Sequence, residues 1–175
     1  MSESHVLPDL IRPGLKVILC GTAVGNVSAQ RGAYYAGPGN RFWQILADTG
    51  LAPRLLKPEE YRLLPSFGIG LTDLAKFVSG TDVELPAGSF DTGRLALMIR
   101  AAKPDWLAFN GKTAAAAFLK IPSRNLHYKQ YELTTPPAGF PPIMVLPSTS
   151  RAANGCWDPG PWFELAKSIV SSREG

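Results

Sequence analysis

The chain has 175 residues, 45% hydrophobic and 18% charged, enough for one globular domain with a real core. Its formal charge of +4 and pI near 9.2 favour an anionic partner only mildly, and no run of lysine and arginine is long enough to act as a basic tail. Two cysteines and two histidines, without ligand spacing, exclude a disulfide framework or a four-thiolate cluster and argue against a zinc site.

The N-terminus, MSESHVLPDLIRPG, lacks the basic start and apolar stretch of a signal peptide. No apolar run approaches the roughly 20 residues of a membrane span, so no membrane association is expected and the expected compartment is the cytoplasm. The polar ends, residues 1–3 and 171–175, are expected to lie outside the fold.

In chain order, residues 15–20, LKVILC, read as a buried strand between Pro13-Gly14 and Gly21, ending in the core thiol Cys20. A glycine-rich loop follows over residues 21–39. Residues 40–49 carry Phe42, Ile45 and Leu46 at helical spacing, with Gly50 closing the helix. PEEYRLL, residues 58–64, is a short helix with proline and acids in its first turn. GIGLTDLAK, residues 68–76, enters a second structured segment.

Residues 89–102 form an amphipathic helix with Leu95, Met98, Ile99 and Ala102 on one face, ended by Pro104. DWLAFNGK, residues 105–112, is a strand running into a glycine turn, and an alanine-rich helix follows over 113–120. PIMVLPSTS, residues 142–150, is an apolar strand opening into a small polar loop. Pro161 starts a last helix with Trp162, Leu165, Ala166 and Ile169 inward. Trp43, Trp106 and Trp162 are expected in the core.

Strands alternating with helices argue for an α/β layer with a largely parallel sheet, whose ligand crevice lies beyond the carboxyl ends of the strands. Three loops then converge: residues 21–39, 110–112 and 147–154. The first lacks GxGxxG and GxxxxGK[ST], so the common phosphate cradles are absent. No GxSxG or SxxK is present, and neither histidine has a serine partner, which argues against Ser/His/Asp hydrolysis. The loop's glycines let backbone approach a ligand, and Tyr34 and Tyr35 offer flat stacking faces. Equally, glycines make turns and one tyrosine packs inward.

Three blocks together carry a family resemblance: CGTAVGNVSAQRGAYYAGPGNRFWQIL, GIGLTDLAK with AFNGK, and LPSTSRAANG. Their order and spacing resemble the uracil-DNA glycosylase superfamily over residues 15–168. The mismatch-specific uracil/thymine glycosylases and the hypoxanthine-removing branch are the nearest in look. The resemblance implies a three-layer α/β/α sandwich around a mostly parallel four-stranded sheet, one domain over 1–175 with its core at about 15–170. It implies a monofunctional enzyme that flips uracil or a related deaminated base out of DNA and hydrolyses its N-glycosidic bond in base-excision repair. No metal or organic cofactor is implied. The expected partner is DNA containing such a base, met by a monomer.

One departure stands out. The mismatch-specific members read Gly-Ile-Asn-Pro-Gly, and their asparagine positions the water. Here the stretch is Gly21-Thr22-Ala23-Val24-Gly25, so Ala23 takes that pocket position, and a methyl group cannot orient water. Three residues could take over. Asn40 resembles the functional asparagine of the hypoxanthine branch, although it could simply cap the following helix. Asp73 falls at a base-contacting position and is the only carboxylate in the matching blocks; it could instead be a capping or salt-bridged surface acid. Asn26, three residues past Ala23, could contact substrate or make a turn.

The resemblance further assigns Tyr35 to stacking on the flipped base and Ser28 to the pocket, with Tyr34 packing inward or staying at the rim. Asn110, at a strand end, could bond base or backbone. Ser148, Ser150, Arg151 and Lys112 are the expected DNA contacts, with Arg151 gripping phosphate or wedging into the duplex. A lesion-binding or abasic-site-binding protein without catalysis is the alternative that Ala23 raises. A nucleotide-binding module unrelated to DNA would require the three-block match to be chance.

Overall fold

The computed structural model describes residues 4–136 and 138–175. A five-stranded sheet runs in the order β2-β1-β3-β5-β4. β1 (Val17–Val24) pairs in parallel with β2 (Ile69–Ser79) and β3 (Trp106–Asn110), and β3 pairs in parallel with β5 (Ile143–Leu146). The two-residue β4 (Gln130–Tyr131) adds an antiparallel edge, a fifth strand beyond the four expected.

The strands read as unbroken apolar runs because both faces of the sheet are covered. Alternate residues still part to opposite sides. Val17, Leu19, Trp106, Ala108 and Leu146 face one layer, with Leu46 of α2 (Phe42–Asp48) and Trp162, Leu165 and Ile169 of α5 (Gly160–Glu174). Ile18, Cys20, Leu107, Phe109 and Val145 face the other, with Leu95 and Ile99 of α3 (Thr92–Ala102) and Ala114 and Ala115 of α4 (Lys112–Leu119). The three expected tryptophans and Cys20 are all buried.

Several boundaries differ from expectation. β1 continues past Gly21 to Val24, and the supposed loop holds a short helix, α1 (Asn26–Arg31). The PEEYRLL segment is a 3₁₀ helix, Pro58–Phe67. α3 starts later, at Thr92, where the Asp91 side chain accepts from the Arg94 amide at 2.9 Å. α5 reaches Glu174, so the C-terminal polar stretch is helical to that point, while residues 1–3 lie outside the described residues.

The segment ahead of β1 seals the outer edge of β2. Leu10 and Leu71 exchange main-chain hydrogen bonds at 2.9 and 3.1 Å, and the Val6 amide donates to the Lys76 carbonyl at 2.7 Å. A covered edge cannot recruit another strand. The approach is close because residue 70 is glycine: a Cβ there would stand 2.7 Å from the Leu10 carbonyl oxygen and 2.7 Å from Leu15 Cδ1. Gly70→Ala is therefore expected to destabilise the fold by about 1–3 kcal/mol, the usual cost of overpacking. Thermal denaturation should show this as a melting midpoint lowered by several degrees.

Candidate active site

The order β2-β1-β3 puts the point where the chain's crossover direction reverses at the carboxyl ends of β1 and β3. Gly21 of β1 lies in register with Asp73 of β2, and Asn110 ends β3. Glycine at 21 is a space requirement. A Cβ there would lie 2.7 Å from Asp73 Oδ1 and 3.3 Å from the Tyr35 hydroxyl. One point is thus within contact of both polar groups.

The loop between β1 and α2 delivers two tyrosines side by side, with ring centroids 6.1 Å apart. Tyr34 is buried; its hydroxyl donates to the Pro8 carbonyl at 3.0 Å and accepts from Lys76 Nζ at 3.0 Å. Tyr35 follows with φ +52, a left-handed backbone rarely adopted by a bulky residue. Its ring stacks on buried Phe42 with centroids 3.9 Å apart and planes inclined by 22°. The ring is half-buried and its hydroxyl end is enclosed. Ser28 braces the turn from inside, its buried hydroxyl accepting from the Ala36 amide at 2.9 Å.

Among the described residues, the Tyr35 hydroxyl, Asp73 Oδ2 and Arg94 Nε are buried without a hydrogen-bond partner. Burial first, then the nearby Asp73 carboxylate, push the Tyr35 hydroxyl well above its ordinary range. The Asn110 side chain stands close enough to oppose this, without a well-formed hydrogen bond. Asp73 is pushed up to about 6, chiefly by burial; Asp9 adds to the rise, while Lys76, Arg94 and the Gly21 amide work against it. Asp73 is therefore neither a capping nor a surface acid.

The other candidates are more heavily engaged. Asn40 Oδ1 accepts from the Phe42 amide at 3.0 Å at the entry to α2. Asn26 is exposed and accepts from the Ser79 hydroxyl at 3.0 Å. Ala23 is half-buried, paired with Ala75 of β2. Asn110 clamps Thr149 reciprocally: its amide donates to the Thr149 hydroxyl and its carbonyl accepts from the Thr149 amide, both at 3.0 Å. The Arg41 amide also donates to the Thr149 carbonyl at 2.9 Å. Buried Thr149 thus ties the third loop to β3 and α2, leaving Ser148 and Ser150 partly open.

The three loops do converge. Gly111 packs on Ser148, and the exposed Arg151 lays its stem over Gly39, where a Cβ would meet Arg151 Cδ at 3.0 Å. Arg151 opens a 3₁₀ turn ending at the exposed Cys156, and the Arg41 guanidinium lies 5.1 Å from the Trp157 ring centre. Lys112 starts α4 with its ammonium 4.6 Å from the ring centre of Tyr128.

Three contributors escaped the sequence reading. Phe42 reads as a core helix residue, and its stacking on Tyr35 has no sequence mark. Buried Lys76 pairs with the partly exposed Asp9 at 3.0 Å. The one available signal was a lysine closing the apolar run GIGLTDLAK.

The profile of the Uracil DNA glycosylase superfamily matches residues 8–164. The chain belongs to that superfamily. In architecture it is similar to a candidate uracil DNA glycosylase from Methanosarcina acetivorans, solved by solution NMR. The two share 20% identity with a TM-score of 0.65, over 97% of this chain and 99% of that one.

The raised Asp73 carboxyl carries a stability consequence. Because the folded value lies above the ordinary carboxylate range, its contribution is full below about pH 4 and lost as pH rises through about 6. Asp73→Asn abolishes this dependence. Relative to wild type, the variant should gain about 1–2 kcal/mol between pH 5 and pH 8, measured by urea denaturation at each pH. A constant difference across that range would show that Asp73 titrates normally.

Proposed function

We propose that this protein is a monofunctional DNA glycosylase excising uracil, or a related deaminated base such as hypoxanthine, from DNA in base-excision repair. The observation that carries this reading is the unpartnered pair, Asp73 Oδ2 and the Tyr35 hydroxyl, enclosed beside the glycine gap at residue 21. Buried polar atoms are ordinarily satisfied, so two orphans at one site mark a place for a polar ligand edge. Tyr35, fixed against Phe42 on one face, has its other face for a flipped base.

The reaction breaks the bond between C1′ and the base nitrogen, the electron pair leaving on the base while a water oxygen bonds to C1′. Asn40, through its remaining lone pair and amide hydrogens, positions that water. Asp73 accepts the proton released or, ionised, offsets positive charge on the sugar; a carboxyl near 6 exchanges protons readily at neutral pH. Tyr35, Asn26, Ser28, Ala23 and Asn110 form the base pocket or its walls. Ser148 and Ser150 offer hydroxyls to phosphate, with Arg151 and Lys112 as the adjacent cations. Water rather than an amine is the nucleophile, because Lys76 Nζ is held by Asp9 and Tyr34.

A second reading rests on Ala23 and on the capping bond of Asn40: the same pocket binds lesions or abasic sites without cleaving. One experiment separates them. Duplexes carrying uracil, hypoxanthine or xanthine are incubated with the protein and abasic sites are cleaved with alkali. Strand cleavage is expected, with Asn40→Ala and Asp73→Ala each reducing the rate by about 100-fold or more. Tight, salt-sensitive binding to lesion duplexes without cleavage would establish the binding protein instead. Absence of both would refute the DNA reading.

A further inference from the structure

Asp9 lies outside every motif that carries the family resemblance, yet the cations beside the candidate site converge on it. Its Oδ1 is 3.0 Å from Lys76 Nζ and accepts from the Thr72 hydroxyl at 2.7 Å. Its Oδ2 accepts from Arg94 Nη1 at 2.7 Å. His5 Nδ1 stands 4.0 Å from the same oxygen. The Lys76 side chain is 1% exposed, so this neutralisation is obligatory.

Asp73, one residue from Thr72, receives none of these bonds on its carboxylate. Arg94 Nη2 instead donates to the Asp73 main-chain carbonyl at 2.6 Å, and Lys76 spends its remaining contact on the Tyr34 hydroxyl. Asp73 Oδ2 has no partner among the described residues.

We propose that Asp9 is a positioning residue for the candidate site: by gathering Lys76 and Arg94 onto its own carboxylate, it keeps both cations off Asp73 and leaves that carboxyl free to exchange a proton in the pocket. The functional half of this statement rests on the glycosylase reading; the charge arrangement belongs to the resting protein and can be measured without substrate.

The groups facing Asp73 come from every neighbouring element: Asp9 ahead of β1, Cys20 and the Gly21 amide in β1, Tyr34 and Tyr35 in the loop, Lys76 in β2 and Arg94 in α3. Two of these carry positive charge and one, Asp9, negative charge. Burial alone tends to raise Asp9 as well, but Lys76, the Thr72 and Lys76 hydrogen bonds and Arg94 together hold it below its ordinary value. Asp9 therefore stays ionised where Asp73 changes state. The N-terminal segment that brings it there is fixed independently by the Leu10–Leu71 bonds and the Val6–Lys76 bond.

The signs follow from the charges. Removing the Asp9 charge leaves two uncompensated cations next to Asp73 and lowers its midpoint; removing Arg94 raises it. The whole chain, carbon-13 labelled at aspartate carboxyls and assigned with Asp73→Asn, is titrated by NMR. Asp9→Asn is expected to lower the Asp73 midpoint by about 1 pH unit or more, and Arg94→Gln to raise it. Asp9→Glu restores it towards wild type.

Should Asp9→Asn not fold, Lys76→Met is compared with Lys76→Met/Asp9→Asn, where the second change must lower the midpoint. Shifts of the same sign in Asp9→Asn and Arg94→Gln, or no shift in Asp9→Asn, overturn the proposal. The pH profile of base release is measured on the same variants. Opposite NMR shifts with no base release on any substrate uphold the role of Asp9 and remove the glycosylase reading. Base release whose pH limb stays fixed while the NMR midpoint moves overturns the positioning role.

Discussion

A buried ammonium group needs an anion and hydrogen-bond acceptors within reach, and Lys76 sets that demand in the middle of this protein. Asp9 meets it, which requires the segment ahead of β1 to cross the outer edge of β2. Tyr34 meets the rest, which requires its ring to turn inward and its hydroxyl to be buried. The backbone then turns at Tyr35, whose left-handed φ accompanies the stacking of its ring on Phe42. The aromatic platform thus sits next to a tyrosine whose position the buried lysine fixes. Strain of order 1–3 kcal/mol at one backbone position is held by packing around it.

The sheet was readable in the sequence where burial leaves a strong pattern. VILC, WLAF and IMVL are runs that only a strand covered on both faces sustains. The errors cluster where tertiary need overrides local preference. Gly21 looked like a strand end, because glycine weakens strands; it continues β1, because any larger residue would collide with Asp73. α1 was invisible: six residues, no acid in the first turn, no side-chain cap and one buried residue, Ser28. β4 is too short to leave any pattern.

The candidate site was legible to the extent that it lies in contiguous motifs. Tyr35, Asp73 and Ser28 were picked out from their motif positions, and the structure brings Tyr35 and Asp73 to one point with Ser28 bracing the loop. What the motifs could not show is state. Whether Asp73 is paired, capped or free depends on Asp9, Lys76 and Arg94, which meet from three separate elements. Thr149 shows the same limit. In PSTS it reads as one of three similar hydroxyl residues, yet it alone is buried and clamped by Asn110.

The two cysteines differ in a way that reaches beyond packing. Cys20 is buried, and burial pushes its thiol well up, so it resists reagents that need a thiolate. Cys156 is exposed at the end of the 3₁₀ turn that Arg151 opens. A maleimide dye added to the native, otherwise unaltered chain would attach at that one thiol. The fluorophore would sit beside Trp157, on the rim where the loops converge, giving an optical reporter of whatever approaches that rim without a cysteine having to be introduced or removed.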